Sequence, residues 1–100
     1  MYFLVQQTPM LQDKIKSLAS AYKEEVISFR RHLHAHPELS FKEFETATFV
    51  ANKLKEFGIT EIESKATTGW SALIKGKNPE KRVVALRADM DALPIIEANE

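Results

Sequence analysis

The chain has 100 residues, 44% of them hydrophobic and 28% charged, and no cysteine. That is the size of one small domain, able to bury roughly 60–70% of its unfolded surface, and the composition argues against disorder, a disulfide framework and a thiolate metal site. Lys plus Arg and Asp plus Glu number 14 each and cancel to a net charge of +0, so no uniform field draws the chain to nucleic acid or an anionic membrane.

The lack of cysteine fits a reducing cytoplasm. No apolar run approaches the roughly 18 residues of a membrane span. Tyr2–Val5 is apolar but short, without the basic flank and small-residue cleavage site of a signal peptide. Residues 1–8 therefore read as a tail or edge segment packing on a neighbouring surface. At Thr8-Pro9 a hydroxyl cap precedes proline at the first helical position, where its missing N–H costs nothing. Leu11, Ile15, Leu18, Tyr22, Val26, Phe29 and Leu33 then recur at steps of four and three. This period predicts an amphipathic helix over 9–35, about 26 residues and about 39 Å long. Such a stripe suits a coiled-coil seam or a helix lying along a sheet, and the strands that follow favour the sheet. Arg30, Arg31 and His32 fall in the last turns, where cations complement the helix dipole.

Pro37 ends this helix and biases His36 toward extended geometry. Ser40 and Glu43 have the S-x-x-E spacing of a capping box, and Leu39 and Phe44 that of a hydrophobic staple. They predict a second helix over 40–57 with Phe44, Ala47, Val50, Ala51, Leu54 and Phe57 on its apolar face. Gly58 suits the left-handed position after the helix, and Ile59 can fold back on Leu54 to complete a Schellman motif. From Ile59 the period changes. Thr60–Ala66 alternates weakly, as a modest edge strand does, and Thr68-Gly69 turns the chain. Trp70, Ala72 and Ile74 alternate with Ser71, Leu73 and Lys75 in a better strand. Gly76–Lys81 is a polar loop of hairpin character, and Val83–Ala88 reads as a buried central strand. Together these elements predict an α/β fold. Two helices pack on a mixed sheet of about three strands within 60–90, with antiparallel pairing across the 76–81 loop.

Chemistry concentrates where the last strand ends. On a strand, Arg87, Asp89 and Asp91 share a face. Two carboxylates beside a guanidinium can hold a divalent cation, orient a metal-bound histidine or share a proton in acid–base work. They can equally form a structural Arg–Asp pair with an aspartate capping the next turn. His32 and His36 are four apart, a spacing that places two ligands on one helical face. Pro37 disturbs that arrangement, and helix-end hydrogen bonding is the commoner role for His32, His34 and His36. Arg30–His36 is too short, on a neutral chain, for a nucleic-acid patch. Gly58, Gly69 and Gly76 stand alone, which excludes a glycine-rich phosphate loop, and no G-x-S-x-G elbow occurs.

Two segments together carry a family resemblance. Arg30-Arg31-His32-Leu33-His34-Ala35-His36-Pro37-Glu38-Leu39-Ser40, continuing to Glu43 and Thr46, resembles the R-R-x-x-H-x-x-P-E-L pattern of the metal-dependent aminoacylase-like amidohydrolases. This group includes hippurate hydrolase, N-acetyldiaminopimelate deacetylase and the indoleacetyl-amino-acid hydrolases. Ala85-Leu86-Arg87-Ala88-Asp89-Met90-Asp91-Ala92-Leu93-Pro94 resembles the A-L-R-A-D-M-D-A-L-P segment of the same family. Between them, Thr68-Gly69-Trp70 through Gly76 occupies the place of its T-G-x-x-A-x-I-x-G strand. The match runs from about Arg30 to Glu97, in order and at the right separations.

The resemblance implies the N-terminal portion of a zinc-peptidase-like catalytic domain, a mixed α/β sandwich interrupted in the parent by a smaller dimerisation domain. It implies hydrolysis of the amide of N-acyl amino acids or peptide-like small molecules, in the cytoplasm, without nucleic acid or membrane partners. A homo-oligomer is compatible with it. It also implies a divalent metal in the full-length parent, zinc or manganese and two ions, that polarises the carbonyl and activates water. In the wider peptidase relatives an H-x-D motif occupies this strand end. Here Arg87 stands in the place of that histidine, and only Asp89 carries over, as a residue orienting a metal ligand. The family's ligands come mainly from a later C-G-H-D-x-H segment, a following glutamate and two more histidines, none of them within residues 1–100. The expectation is therefore that these residues alone hold no catalytic metal and hydrolyse nothing. The alternative is a non-catalytic α/β interaction or dimerisation module.

Overall fold

A computed structural model describes residues 10–98. The Tyr2–Val5 segment and the Thr8-Pro9 helix start lie outside the described residues. The chain divides into two compact units at the Ala35–His36 junction.

The first unit contains helix α1, Leu11–Ala35. Asp13 and Lys14 donate their backbone N–H groups to the Met10 carbonyl at 2.9 and 3.1 Å, which starts the helical ladder. Asp13 lies in the first turn, and His32 and His34 in the last; each sign complements the dipole end it occupies. The apolar stripe stays open, with Ile15, Tyr22 and Val26 all more than half exposed. No α1 residue is buried.

The second unit begins with a turn rather than a helix. The Lys42 N–H donates to the Leu39 carbonyl at 2.9 Å, and Phe41 sits at φ +64°. Helix α2 then runs Phe44–Glu56, four residues shorter at its start than the spacing predicts. The proposed capping box is not formed: Glu43 occupies the cap position and makes no side-chain cap hydrogen bond. Glu38 takes over that task from eight residues upstream. Its Oε1 accepts from the Thr46 N–H at 2.6 Å and from the Thr46 hydroxyl, and its Oε2 accepts from the Glu45 N–H at 3.2 Å. Two of the orphan donors of the first turn are thereby satisfied. Leu39 and Phe44, the predicted staple, each remain about half exposed.

The other end of α2 follows its sequence. Gly58 adopts φ +81°, its N–H donates to Lys55 O at 2.9 Å, and the Ile59 N–H donates to Leu54 O at 3.0 Å. Those two bonds are the 5→2 and 6→1 pair of a Schellman motif.

Strands β1, Ile62–Lys65, and β2, Gly69–Ala72, form an antiparallel hairpin in which Lys65 faces Gly69 and Ile62 faces Ala72. The three-residue loop between them places Ala66 at φ +48° and Thr67 at φ +72°. Gly69 is needed for a close approach, because a Cβ there would lie 2.8 Å from the Lys65 carbonyl oxygen. One further ladder-like bond, from the Leu73 N–H to Glu61 O at 2.9 Å, and a Lys75–Glu61 ion pair at 2.9 Å extend the pairing beyond the strands. The hairpin packs on α2 through polar anchors. The Trp70 indole N–H donates to the Ala47 carbonyl at 2.8 Å, and the Thr68 hydroxyl donates to Glu43 Oε2 at 2.7 Å. The core here is small: Ala47 and Ala51, with Thr46, Glu43 and Thr68 buried beside them.

The predicted mixed sheet of about three strands is corrected to this two-stranded hairpin. The 76–81 loop does turn, with the Lys81 N–H on Asn78 O at 3.1 Å, but Val83–Ala88 forms no ladder among the described residues. Val83, Val84 and Leu86 are 82%, 77% and 97% exposed. An apolar run of this kind becomes a strand only when neighbours pair its edges and cover both faces. Among the described residues no element does so.

Candidate functional site

The part of the first long motif from His36 onward meets the second motif in the second unit. The Ala92 N–H donates to the Glu38 carbonyl at 2.8 Å, joining the segment that carries Asp89 and Asp91 to the His36-Pro37-Glu38 approach to α2. Pro37 has no N–H to offer and presets an extended entry, so Glu38 can point its side chain at the helix end and its carbonyl at the incoming segment. Beyond Ala92, the Ile95 N–H donates to Leu93 O at 2.8 Å and tightens the turn around Pro94.

Asp89, the residue expected to orient a metal ligand, accepts from Arg87 Nη2 at 3.2 Å. Arg87 and Asp89 thus form a local pair outside any strand. Both side chains are mostly exposed, and an ion pair in that setting contributes little to stability. Asp91 is exposed and adjoins the anchored Ala92. His32 and His34 lie in the last turn of α1, and His36 opens the second unit. Among the described residues no three His, Cys, Asp or Glu side chains come together closely enough to hold a metal ion. The donor set of these residues therefore does not fit a catalytic metal by itself.

The electrostatics centre on two glutamates, Glu38 of the P-E-L motif and Glu43 of the expected capping box. The Thr46 hydroxyl holds the Glu38 carboxyl below the ordinary glutamate range; partial desolvation opposes it, and the Thr46 and Glu45 amides reinforce it. The Thr68 hydroxyl does the same for Glu43, opposed by desolvation and by the nearby Glu38 charge, with the Phe41 amide adding to the lowering. Both groups are held ionised by donors aimed at them. They serve as fixed acceptors, so neither is poised to exchange a proton near neutrality. Glu38 belongs to the P-E-L motif, but its capping role was not visible in a spacing of eight residues. The sequence signal available for it was a carboxylate placed just after a proline and before a hydroxyl-bearing first turn.

The chain is similar to an N-acyl-L-amino acid amidohydrolase of Geobacillus stearothermophilus, 52% identical over 90 residues that make up 90% of this chain and 24% of that protein. It is 49% identical over 78 residues to an N-acetyl-L-cysteine deacetylase of Bacillus subtilis, covering 78% of this chain and 18% of the relative. An N-acetyldiaminopimelate deacetylase of Bacillus pumilus is 49% identical over 76 residues, 75% of this chain and 20% of the relative. The chain thus spans a quarter or less of the length of the curated relatives it matches. No family model and no solved structure matches it.

Proposed function

Since the chain belongs, over the residues matched, to the aminoacylase-like amidohydrolase family, we propose that it is the N-terminal portion of a metal-dependent hydrolase. That enzyme cleaves the amide bond of N-acyl amino acids or related peptide-like substrates. The observation that carries this reading is the pairing of both family motifs at one place, through the Ala92–Glu38 hydrogen bond at 2.8 Å. The parent's metal, zinc or manganese, is held by ligands outside residues 1–100. Within the chain, Asp89 orients one of those ligands, and Arg87 and Asp91 serve local structure. The parent works in the cytoplasm on a small molecule. No helix among the described residues is long and apolar enough to cross a membrane, and the net charge is +0.

Two experiments test this. Incubated with zinc or manganese and an N-acetyl amino acid, the 100-residue chain gives no turnover; appreciable hydrolysis would remove the claim that its site is incomplete. Substituted for the matched portion of the Geobacillus relative, the same residues support hydrolysis, and Asp89→Asn lowers kcat by about 10–100-fold, the usual effect of removing a ligand-orienting carboxylate. A folded but inactive chimera would overturn the amidohydrolase reading.

The exposed, unpaired run at Val83, Val84 and Leu86 favours a second reading, a non-catalytic module that pairs through open strand edges. Concentration-dependent association in sedimentation, with an inactive chimera, would select it.

A further inference from the structure

We infer that Glu38 is a positioning residue that sets where the Asp89–Asp91 segment lies relative to α2, an inference that rests on the amidohydrolase reading for its catalytic meaning. The Ala92–Glu38 bond ties the backbone of residues 82–98 to the entry of α2 in the second unit. The acceptor of that bond belongs to a residue whose side chain is itself clamped. Glu38 takes three donors, the Thr46 N–H, the Thr46 hydroxyl and the Glu45 N–H. Its carboxylate faces the first turn of α2, where the N–H groups and the dipole both favour negative charge. The helix therefore fixes the Glu38 side chain, the side chain limits the backbone at 38, and the carbonyl at 38 fixes Ala92, the residue after Asp91.

The chemistry is specific to a carboxylate of this length. Glutamine would turn an N–H2 group toward the Glu45 N–H or the Thr46 donors and lose at least one bond. Aspartate is a methylene shorter. Thr46, by contrast, makes no hydrogen bond to the Asp89–Asp91 segment, so any effect of its hydroxyl there passes through Glu38.

The test uses amide hydrogen exchange on the full 100-residue chain, reading Ala92 against Ala51, which is buried in α2. Thr46→Val removes only the hydroxyl and is expected to speed Ala92 exchange by about 2–10-fold, the worth of one net hydrogen bond. Ala51 is expected to be unchanged, and Thr46→Ser to restore the wild-type rate. Should Thr46→Val loosen α2 itself, Glu38→Gln makes the same comparison with every helical residue kept. Unchanged Ala92 exchange in both variants would overturn the inference. In the Geobacillus chimera, Glu38→Gln is expected to lower kcat while leaving KM within about twofold, assayed well below the melting temperature; a purely stabilising role would leave kcat alone there, and that result would overturn the positioning role. An inactive wild-type chimera would overturn the amidohydrolase reading itself, whereas the exchange experiment reads the coupling independently of activity.

Discussion

Glu38 and Glu43 show how much one acceptor group can organise in a small unit. Each carboxyl is held below its ordinary value, by the Thr46 hydroxyl and the Thr68 hydroxyl respectively. A folded-state value below the unfolded one contributes stability that is fully present above the ordinary glutamate pKa of about 4.3 and is lost as pH falls through the lowered values. Acid titration of the second unit, followed by circular dichroism of α2, is expected to show loss of structure beginning below about pH 4.3. Thr68→Val should move that transition to higher pH, because Glu43 then loses its strongest donor. A midpoint that Thr68→Val leaves in place would separate Glu43 from the acid transition. Gly69 acts by having no side chain. Gly69→Ala would press a Cβ against the Lys65 carbonyl oxygen at 2.8 Å, and overpacking of that kind is expected to destabilise the hairpin by about 1–3 kcal/mol. Urea unfolding measures it.

The helices and the hairpin differ in where their instructions sit. The C-terminus of α2 was readable in full, because the Schellman bonds join residues only three and five apart and need just one left-handed glycine. Gly58→Ala keeps the space, with nothing within 4 Å of the added Cβ, but not the backbone freedom at φ +81°. It is expected to cost roughly 1–2 kcal/mol in thermal or urea unfolding. The N-terminus of α2 was misread for the complementary reason. Ser40 and Glu43 have the local spacing of a capping box, yet the turn at Leu39–Lys42 removes Ser40 from the helix, and a carboxylate eight residues back does the capping. The strand at Val83–Ala88 was misread differently again. Its apolar character is plain in the sequence, but a strand is defined by its neighbours, and none is present among the described residues.

For the molecule as a whole, exposure of Val83, Val84 and Leu86 matters more than any single contact. An unpaired apolar edge invites pairing with another chain. The chain is expected to self-associate with rising concentration in sedimentation velocity, and Ala85→Lys, a charge placed in that run, should reduce the association. A clean monomer at high concentration would count against open-edge pairing. In the chimera the same run is expected to gain partners, so that amides 83–88 exchange far more slowly than in the chain alone. Equal rates in both would show that it is not an interior strand.

The sequence by itself determined what is local: the long period of α1, the glycine-terminated end of α2, a turn that includes Thr68 but ends before Gly69, and the two motifs that place the chain in its family. Each of these depends on residues a few positions apart, whose geometry the backbone imposes wherever the segment is found. Tertiary structure alone decided that Glu38 caps α2, that Thr68 and Trp70 anchor the hairpin to it, that the sheet has two strands, and that Ala92 is fastened to Glu38. The capping and anchoring hydrogen bonds among them join residues seven to more than fifty positions apart. They form only once the chain brings a donor within about 3 Å of an acceptor, at distances that hydrogen bonding requires.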